Sequence, residues 1–267
     1  MDGMTPAAQK ILARKEDGIG WLTFNQPEKR NAISIEMWDM IGAALSDFSA
    51  DPDVRVVVMH GAGGKAFAAG ADISQFEKVR SDAAAQEEYG RRSGVGREAM
   101  GALQKPLIAM IQGFCIGGGM AIALRADIRV ASSDSQFAIP AAKLSIAYQY
   151  DALQRLVALT GPAVAKEIMF TARRYTAAQA LAMRLINTVV EPEELESTVR
   201  ALAAEMGANA PLSIRASKAS IDQIAGDPAL RNREAIAALE RACFDSADYA
   251  EGRRAFMEKR KPVFQGR

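Results

Sequence analysis

Residues 107–125 constrain the fold more than any other stretch of this chain. Leu107 to Ile111 is a continuous apolar run of strand length, the pattern of a strand buried on both faces. Gly113, Gly117, Gly118 and Gly119 follow, and then a helix-like run over 120–125. A strand, a glycine turn and a helix start make one unit of an α/β fold. Adjacent glycines at a helix start leave backbone N–H groups bare. The aligned peptide dipoles put about half a positive charge there, so the place attracts anions. It can also hold an oxyanion that develops during a reaction. No carboxylate follows the glycines, because the next residues are Met120 and Ala121.

The alternation of strand and helix extends through the first half. Residues 19–24 read as a strand ended by Asn25-Gln26-Pro27. Ser34 is placed to cap a helix, in which Ile35, Trp38, Ile41, Leu45 and Phe48 recur at helical spacing. Residues 54–59 form a β-branched strand, 61–64 a glycine loop, 82–103 a long polar helix and 127–131 another strand. Helices dominate afterwards, at 152–159, 163–170, 177–183 (capped by Thr176), 193–209 (stopped by Pro211), 213–224, 231–244 and 250–259. The shift near residue 195 divides the chain into a core domain, 1–194, and a helical C-terminal region, 195–267. Helices that leave a core commonly pack on another copy, so association is expected.

Composition excludes several function classes. The 267 residues are 49% hydrophobic, enough for one large core. A net charge of +1 gives no electrostatic case for nucleic acid. No apolar run reaches the roughly 20 residues of a membrane span. Cys115 and Cys243 make no disulfide framework. The first ten residues lack the apolar centre of a secretory leader, so a cytoplasmic location is expected. His60 is the single histidine and ends a strand, where a structural role is expected. It leaves no catalytic triad and no metal-ligand cluster. Cys115 reads as a small buried hydrophobe. Gly61 to Lys65 lacks P-loop spacing, and no dinucleotide-binding glycine pattern opens a helix. Arg173-Arg174 and Arg253-Arg254 read as solvated faces.

Four segments now combine. They are Asn25-Gln26-Pro27-Glu28-Lys29-Arg30-Asn31-Ala32-Ile33, Lys65-Ala66-Phe67-Ala68-Ala69-Gly70-Ala71-Asp72-Ile73, Gly117-Gly118-Gly119, and Phe256-Met257-Glu258-Lys259-Arg260-Lys261-Pro262. In this order and spacing, over nearly the whole chain, they resemble the crotonase (enoyl-CoA hydratase/isomerase) superfamily. The resemblance implies an α/β spiral of ββα units with a helical oligomerisation region, as a homotrimer or a dimer of trimers. It implies a CoA thioester as ligand, no cofactor beyond that CoA, and no metal. By position, the oxyanion hole is the pair of N–H groups of Ala71 and Gly118. Two such donors suit a thioester, whose enolate or tetrahedral intermediate carries its charge on the carbonyl oxygen. Lys29, Arg30, Ala32, Ala69, Asp72 and Ile73 would border CoA. Phe256 and Lys259 would reach it from the C-terminal region, across a subunit boundary.

The sequence departs from the resemblance at the acid/base positions. Hydratases of the family carry glutamates where this chain has Ala121 and Ala141. Hydration needs a base to activate water and an acid to protonate the α-carbon, and alanine does neither. Tyr148 falls where methylmalonyl-CoA decarboxylases of the family place a tyrosine, which gives it two readings, a pocket-wall aromatic or a group that orients a leaving carboxylate. Asp151, the nearest carboxylate, is either a displaced acid/base or a solvated residue at a helix start. The reading is therefore an acyl-CoA-processing enzyme, a lyase or isomerase that works through a thioester enolate in a reaction such as decarboxylation. The alternative is a non-catalytic acyl-CoA-binding protein on the same fold.

Overall fold

The computed structural model describes residues 9–71 and 83–267. The first pair of strands, β1 (Ile11–Glu16) and β2 (Ile19–Phe24), is an antiparallel hairpin. Its turn is Asp17-Gly18, at φ 53° and 77°. Two residues at positive φ give the turn twist that matches a hairpin. β1 was not expected from the sequence, because its Arg-Lys-Glu end is exposed and breaks the apolar pattern. Charge of this kind suits an edge strand.

Strands β3 (Val56–Gly61), β5 (Leu107–Ile111), β7 (Ile128–Ser132) and β10 (Thr188–Val190) extend the sheet. The order is β1-β2-β3-β5-β7-β10, with every pair after the hairpin parallel. A second sheet holds β4 (Ala66–Ala68), β6 (Phe114–Ile116), β8 (Gln136–Ala138) and β9 (Tyr175–Thr176) in that order, with only β9 antiparallel. Each pass of the chain places one strand in each sheet: β3 then β4, β5 then β6, β7 then β8. This is the spiral of an α/β crotonase-like fold. Gly113, at φ 66°, turns the chain from β5 to β6, and a Cβ there would stand 2.1 Å from the Lys65 carbonyl oxygen. Only glycine fits that approach.

Side chains alternate between the two faces of the large sheet, as strand periodicity requires. Leu22, Phe24, Val57, Met59, Leu107 and Ile111 join the main core. Helix α1 (Ile35–Ala50) closes that core with Met37, Ile41, Leu45 and Phe48 and packs against α2 (Ala83–Ala102). Trp21, Val56, Val58, Ile108 and Val130 face the other way, under Leu195, Val199 and Ala203 of α6 (Leu195–Gly207). Burial of each large aliphatic side chain contributes about 1.5–3 kcal/mol. The remaining helices are α3 (Gly118–Ala123), α4 (Tyr150–Thr171), α5 (Ala177–Ala182), α7 (Pro211–Ala225), α8 (Arg233–Phe244) and α9 (Ala247–Glu258).

Several boundaries differ from the sequence reading. The helix after the glycines begins at Gly118 instead of Met120. The two expected helices within 152–170 are one element, broken at Gly161 (φ 77°, ψ 163°) before Pro162. Pro211 opens α7 as well as closing what precedes it, the position where a missing N–H costs nothing. His60 lies within β3, and its Nε2 sits 2.8 Å from Thr23 Oγ1. No helix among the described residues is long and apolar enough to cross a membrane. The C-terminal helices leave Ile221, Ile224, Phe244, Phe256 and Met257 exposed.

Candidate functional site

The site forms where β4 and β6 end side by side. Beyond β4 the chain runs through Ala69, Gly70 (φ 106°) and Ala71. The loop before α1 fixes this segment from one side. Ala69 N–H donates to the Arg30 carbonyl at 3.0 Å, and Ile33 N–H donates to the Gly70 carbonyl at 2.8 Å. Asn31 anchors the same loop from a buried position at φ 55°. Its amide donates to the carbonyls of Ala62 (2.9 Å) and Ala66 (2.7 Å), and its oxygen accepts from Gln26 N–H at 3.0 Å. Asn31 was quoted in a motif, but its structural work was not legible from the sequence. The asparagine tolerance for left-handed backbone was the available signal.

Beyond β6, Gly117 turns the chain at φ 54° and ψ −110°, and Gly118 begins α3. Gly117 donates to the Ala138 carbonyl at 2.8 Å, and its own carbonyl accepts the first helical bond, from Ala121 N–H at 3.0 Å. The first N–H groups of a helix have no partner within it. That of Gly118 finds no acceptor among the described residues. A Cβ on Gly118 would lie 3.4 Å from Ala71 N, so the two peptide groups are neighbours. The structure thus brings Ala71 and Gly118 together at the head of α3.

Both residues line a cavity of about 200 Å³. Trp38, Tyr89, Ile139 and Tyr148 form much of its wall, and Ala121 and Ala141 also face it. No aspartate or glutamate lines it among the described residues. Tyr148 donates its hydroxyl to the Gly117 carbonyl at 3.1 Å. Burial, above all, raises its phenol above the usual tyrosine range, so the hydroxyl keeps its proton at neutral pH. Its hydrogen bond also braces the glycine that orients α3.

Asp151 lies in the first turn of α4 and does not line the cavity. Its carboxylate is paired with the Arg125 guanidinium and accepts from Ala152 N–H at 2.9 Å. As a displaced acid/base it is therefore poorly placed. Arg125 and Arg97 do line the cavity, and neither was singled out from the sequence. Burial is the main influence lowering the affinity of the Arg125 guanidinium for its proton.

The expected CoA residues are spread around this centre. Ala69 lines the cavity. Ala32 is buried beside the site, while Lys29 and Arg30 are exposed on the turn before it. Arg30 and Arg174 each stack on Phe114, with 5.2 and 5.4 Å from guanidinium carbon to ring centre. Arg173 and Arg174 are exposed, as expected of a solvated face, and Arg173 also lies over the Tyr175 ring at 4.9 Å. Arg253 of the second expected pair stacks on Tyr249 at 5.6 Å. Asp72 and Ile73 lie outside the described residues. Phe256 and Lys259 do not line the cavity, and Phe256 is 82% exposed. Cys115 is buried in the core, and burial raises its thiol well above the usual range.

A family model described as enoyl-CoA hydratase/isomerase matches residues 14–267. The short-chain-enoyl-CoA hydratase of Clostridium acetobutylicum is 35% identical, over 94% of this chain and 95% of that protein. The carnitinyl-CoA dehydratase of Salmonella enteritidis PT4 is 34% identical, over 92% of this chain and 94% of its own length. A solved structure of an enoyl-CoA hydratase/carnithine racemase from Magnetospirillum magneticum superposes with a TM-score of 0.92. It is 37% identical and covers 98% of this chain and 97% of that one.

Proposed function

The chain belongs to the enoyl-CoA hydratase/isomerase family, and on that premise we propose that it decarboxylates an acyl-CoA thioester through an enolate held by Ala71 and Gly118. One observation carries this reading. The cavity joins the neighbouring peptide groups of Ala71 and Gly118 to a lining that holds no carboxylate among the described residues. Hydration requires a general base and acid, and Ala121 and Ala141 supply neither. Decarboxylation requires only an electron sink. The bond between the α-carbon and the carboxylate breaks, carbon dioxide leaves, and the electron pair moves to the thioester oxygen. Two peptide N–H groups stabilise that oxygen in a water-poor site, each by a few kcal/mol. Tyr148 orients the departing carboxylate, and a proton from solvent then returns to the α-carbon.

Lys29 and Arg30 are suited to the CoA phosphates, because cations pair strongly with them. Ala32 and Ala69 leave room for the pantetheine arm. No cofactor beyond the CoA of the substrate enters the scheme. Exposed Phe256 and Met257 support association of copies through the C-terminal helices, in threes or as two threes, which would bring Phe256 and Lys259 to a neighbour's CoA.

Tyr148→Phe tests the scheme. It removes the hydroxyl held on Gly117 and is expected to lower kcat by about 10–100-fold, a loss of about 1.4–2.7 kcal/mol. CoA affinity should change less than about twofold, a few tenths of a kcal/mol. An unchanged kcat would remove Tyr148 from the mechanism. Absence of turnover in the unmodified protein, with acyl-CoA binding intact, would favour the non-catalytic reading.

A further inference from the structure

The acyl cavity has a charge that the reaction does not use. Arg97 and Arg125 line it, and no described carboxylate lines it with them. The Arg125 side chain is only 9% exposed. Its one anionic partner among the described residues, Asp151, is 46% exposed and lines a neighbouring groove that Arg125 also borders. Arg97 has no carboxylate partner among the described residues. Its guanidinium donates to Gln149 Oε1 (2.5 Å) and to the carbonyls of Gly90 (2.6 Å) and Ser93 (3.3 Å). Arg125 in turn donates to the Arg97 carbonyl at 3.4 Å. Among the described residues, two cations therefore line a small apolar cavity, and Arg125, on its border with the groove, has one half-solvated anion as its partner. A buried charge in that state is costly unless paired.

The position of Arg125 sets where a ligand charge would sit. Gly118 opens α3, which ends at Ala123, and Arg125 lies in the turn beyond it, so its backbone stands about one helix length, roughly 8–10 Å at 1.5 Å per residue, from the oxyanion hole. Gly118 and Arg125 line the same cavity, so an acyl chain whose thioester carbonyl lies at Gly118 can extend to Arg125. A guanidinium has five donors in a planar fork, and the bonds to Asp151 and the Arg97 carbonyl leave others for a carboxylate.

Resting on the acyl-CoA reading above, we propose that Arg125 and Arg97 form a carboxylate subsite, so that the preferred ligand is a CoA thioester whose acyl chain carries a distal carboxylate besides the α-carboxylate that decarboxylation removes. The same charges disfavour an acyl group that carries a quaternary ammonium, such as carnitinyl.

Calorimetric titration with length-matched esters tests this. Glutaryl-CoA is compared with pentanoyl-CoA, and succinyl-CoA with butyryl-CoA. Each carboxylated ester should bind at least about tenfold more tightly, as a charge-assisted pair requires. Carnitinyl-CoA should bind more weakly than pentanoyl-CoA. Arg125→Gln and Arg97→Gln should each bring the preference ratio toward one. Asp151→Asn leaves both arginines in place and frees Arg125, so it should raise the ratio. That variant keeps the test decisive if loss of Arg125 harms folding. Equal binding within each pair, or a ratio that Asp151→Asn lowers, overturns the subsite while leaving the acyl-CoA reading intact. Failure of all four esters to bind overturns both.

Discussion

Gly118→Pro lowers turnover by about 10²–10³-fold, the loss that follows removal of one oxyanion-hole donor. Proline deletes the N–H and leaves the helix intact. Gly118 is the first residue of α3, where proline's fixed φ suits a helix and no intrahelical bond is lost. The added Cβ meets Ala71 N at 3.4 Å, an ordinary contact. The residue before it, Gly117, is a glycine and tolerates what proline imposes on its neighbour. The ring Cδ also stands where the thioester oxygen would approach, so acyl-CoA binding weakens along with the rate while the fold persists. Steady-state kinetics with a thermal melt separates the outcomes. A folded protein with a full rate would mean that Gly118 N–H does not face the reacting oxygen.

Gly119→Ala, one residue on, acts on stability instead. A Cβ at Gly119 would lie 2.0 Å from the Ala68 carbonyl oxygen and 2.7 Å from its carbon. Those are backbone atoms of β4, so α3 must move off the strand. Forced overpacking costs about 1–3 kcal/mol, and so close a backbone clash belongs at the upper end. For a chain of this size that lowers Tm by roughly 6–12 °C, at 2–4 °C per kcal/mol. Gly101→Ala is the control. Nothing lies within 4 Å of its Cβ, and alanine in a helix gains up to about 1 kcal/mol over glycine. Equal melting of the two variants would contradict the contact between α3 and β4.

The two glycine variants also mark what the sequence made legible. The apolar run of β5, the glycines and the helix after them are local features with strong periodicity, so their order could be read directly. The neighbouring position of Ala71 came from the resemblance, because the pairing of β4 with β6 joins segments nearly 50 residues apart. Strands β4, β6 and β8 have three residues each, too few for alternation to register. The small sheet therefore went unseen, although it carries the site. Arg97 and Arg125 were missed for a related reason. An arginine on a helix reads as surface by default, and only the packing of α2, α3 and α4 encloses these two. Asp151 shows the reverse case. Its proximity in sequence to Tyr148 suggested chemistry, but the Arg125 pairing turns its carboxylate away from the cavity.

The central claim is that an oxyanion hole with no carboxylate beside it among the described residues decarboxylates and does not hydrate. Mass-spectrometric turnover of methylmalonyl-CoA and crotonyl-CoA by the unmodified protein tests it most directly. Loss of carbon dioxide from methylmalonyl-CoA, with crotonyl-CoA unchanged, is the predicted result. Addition of water to crotonyl-CoA would show that a base acts in this site after all, and would contradict the account.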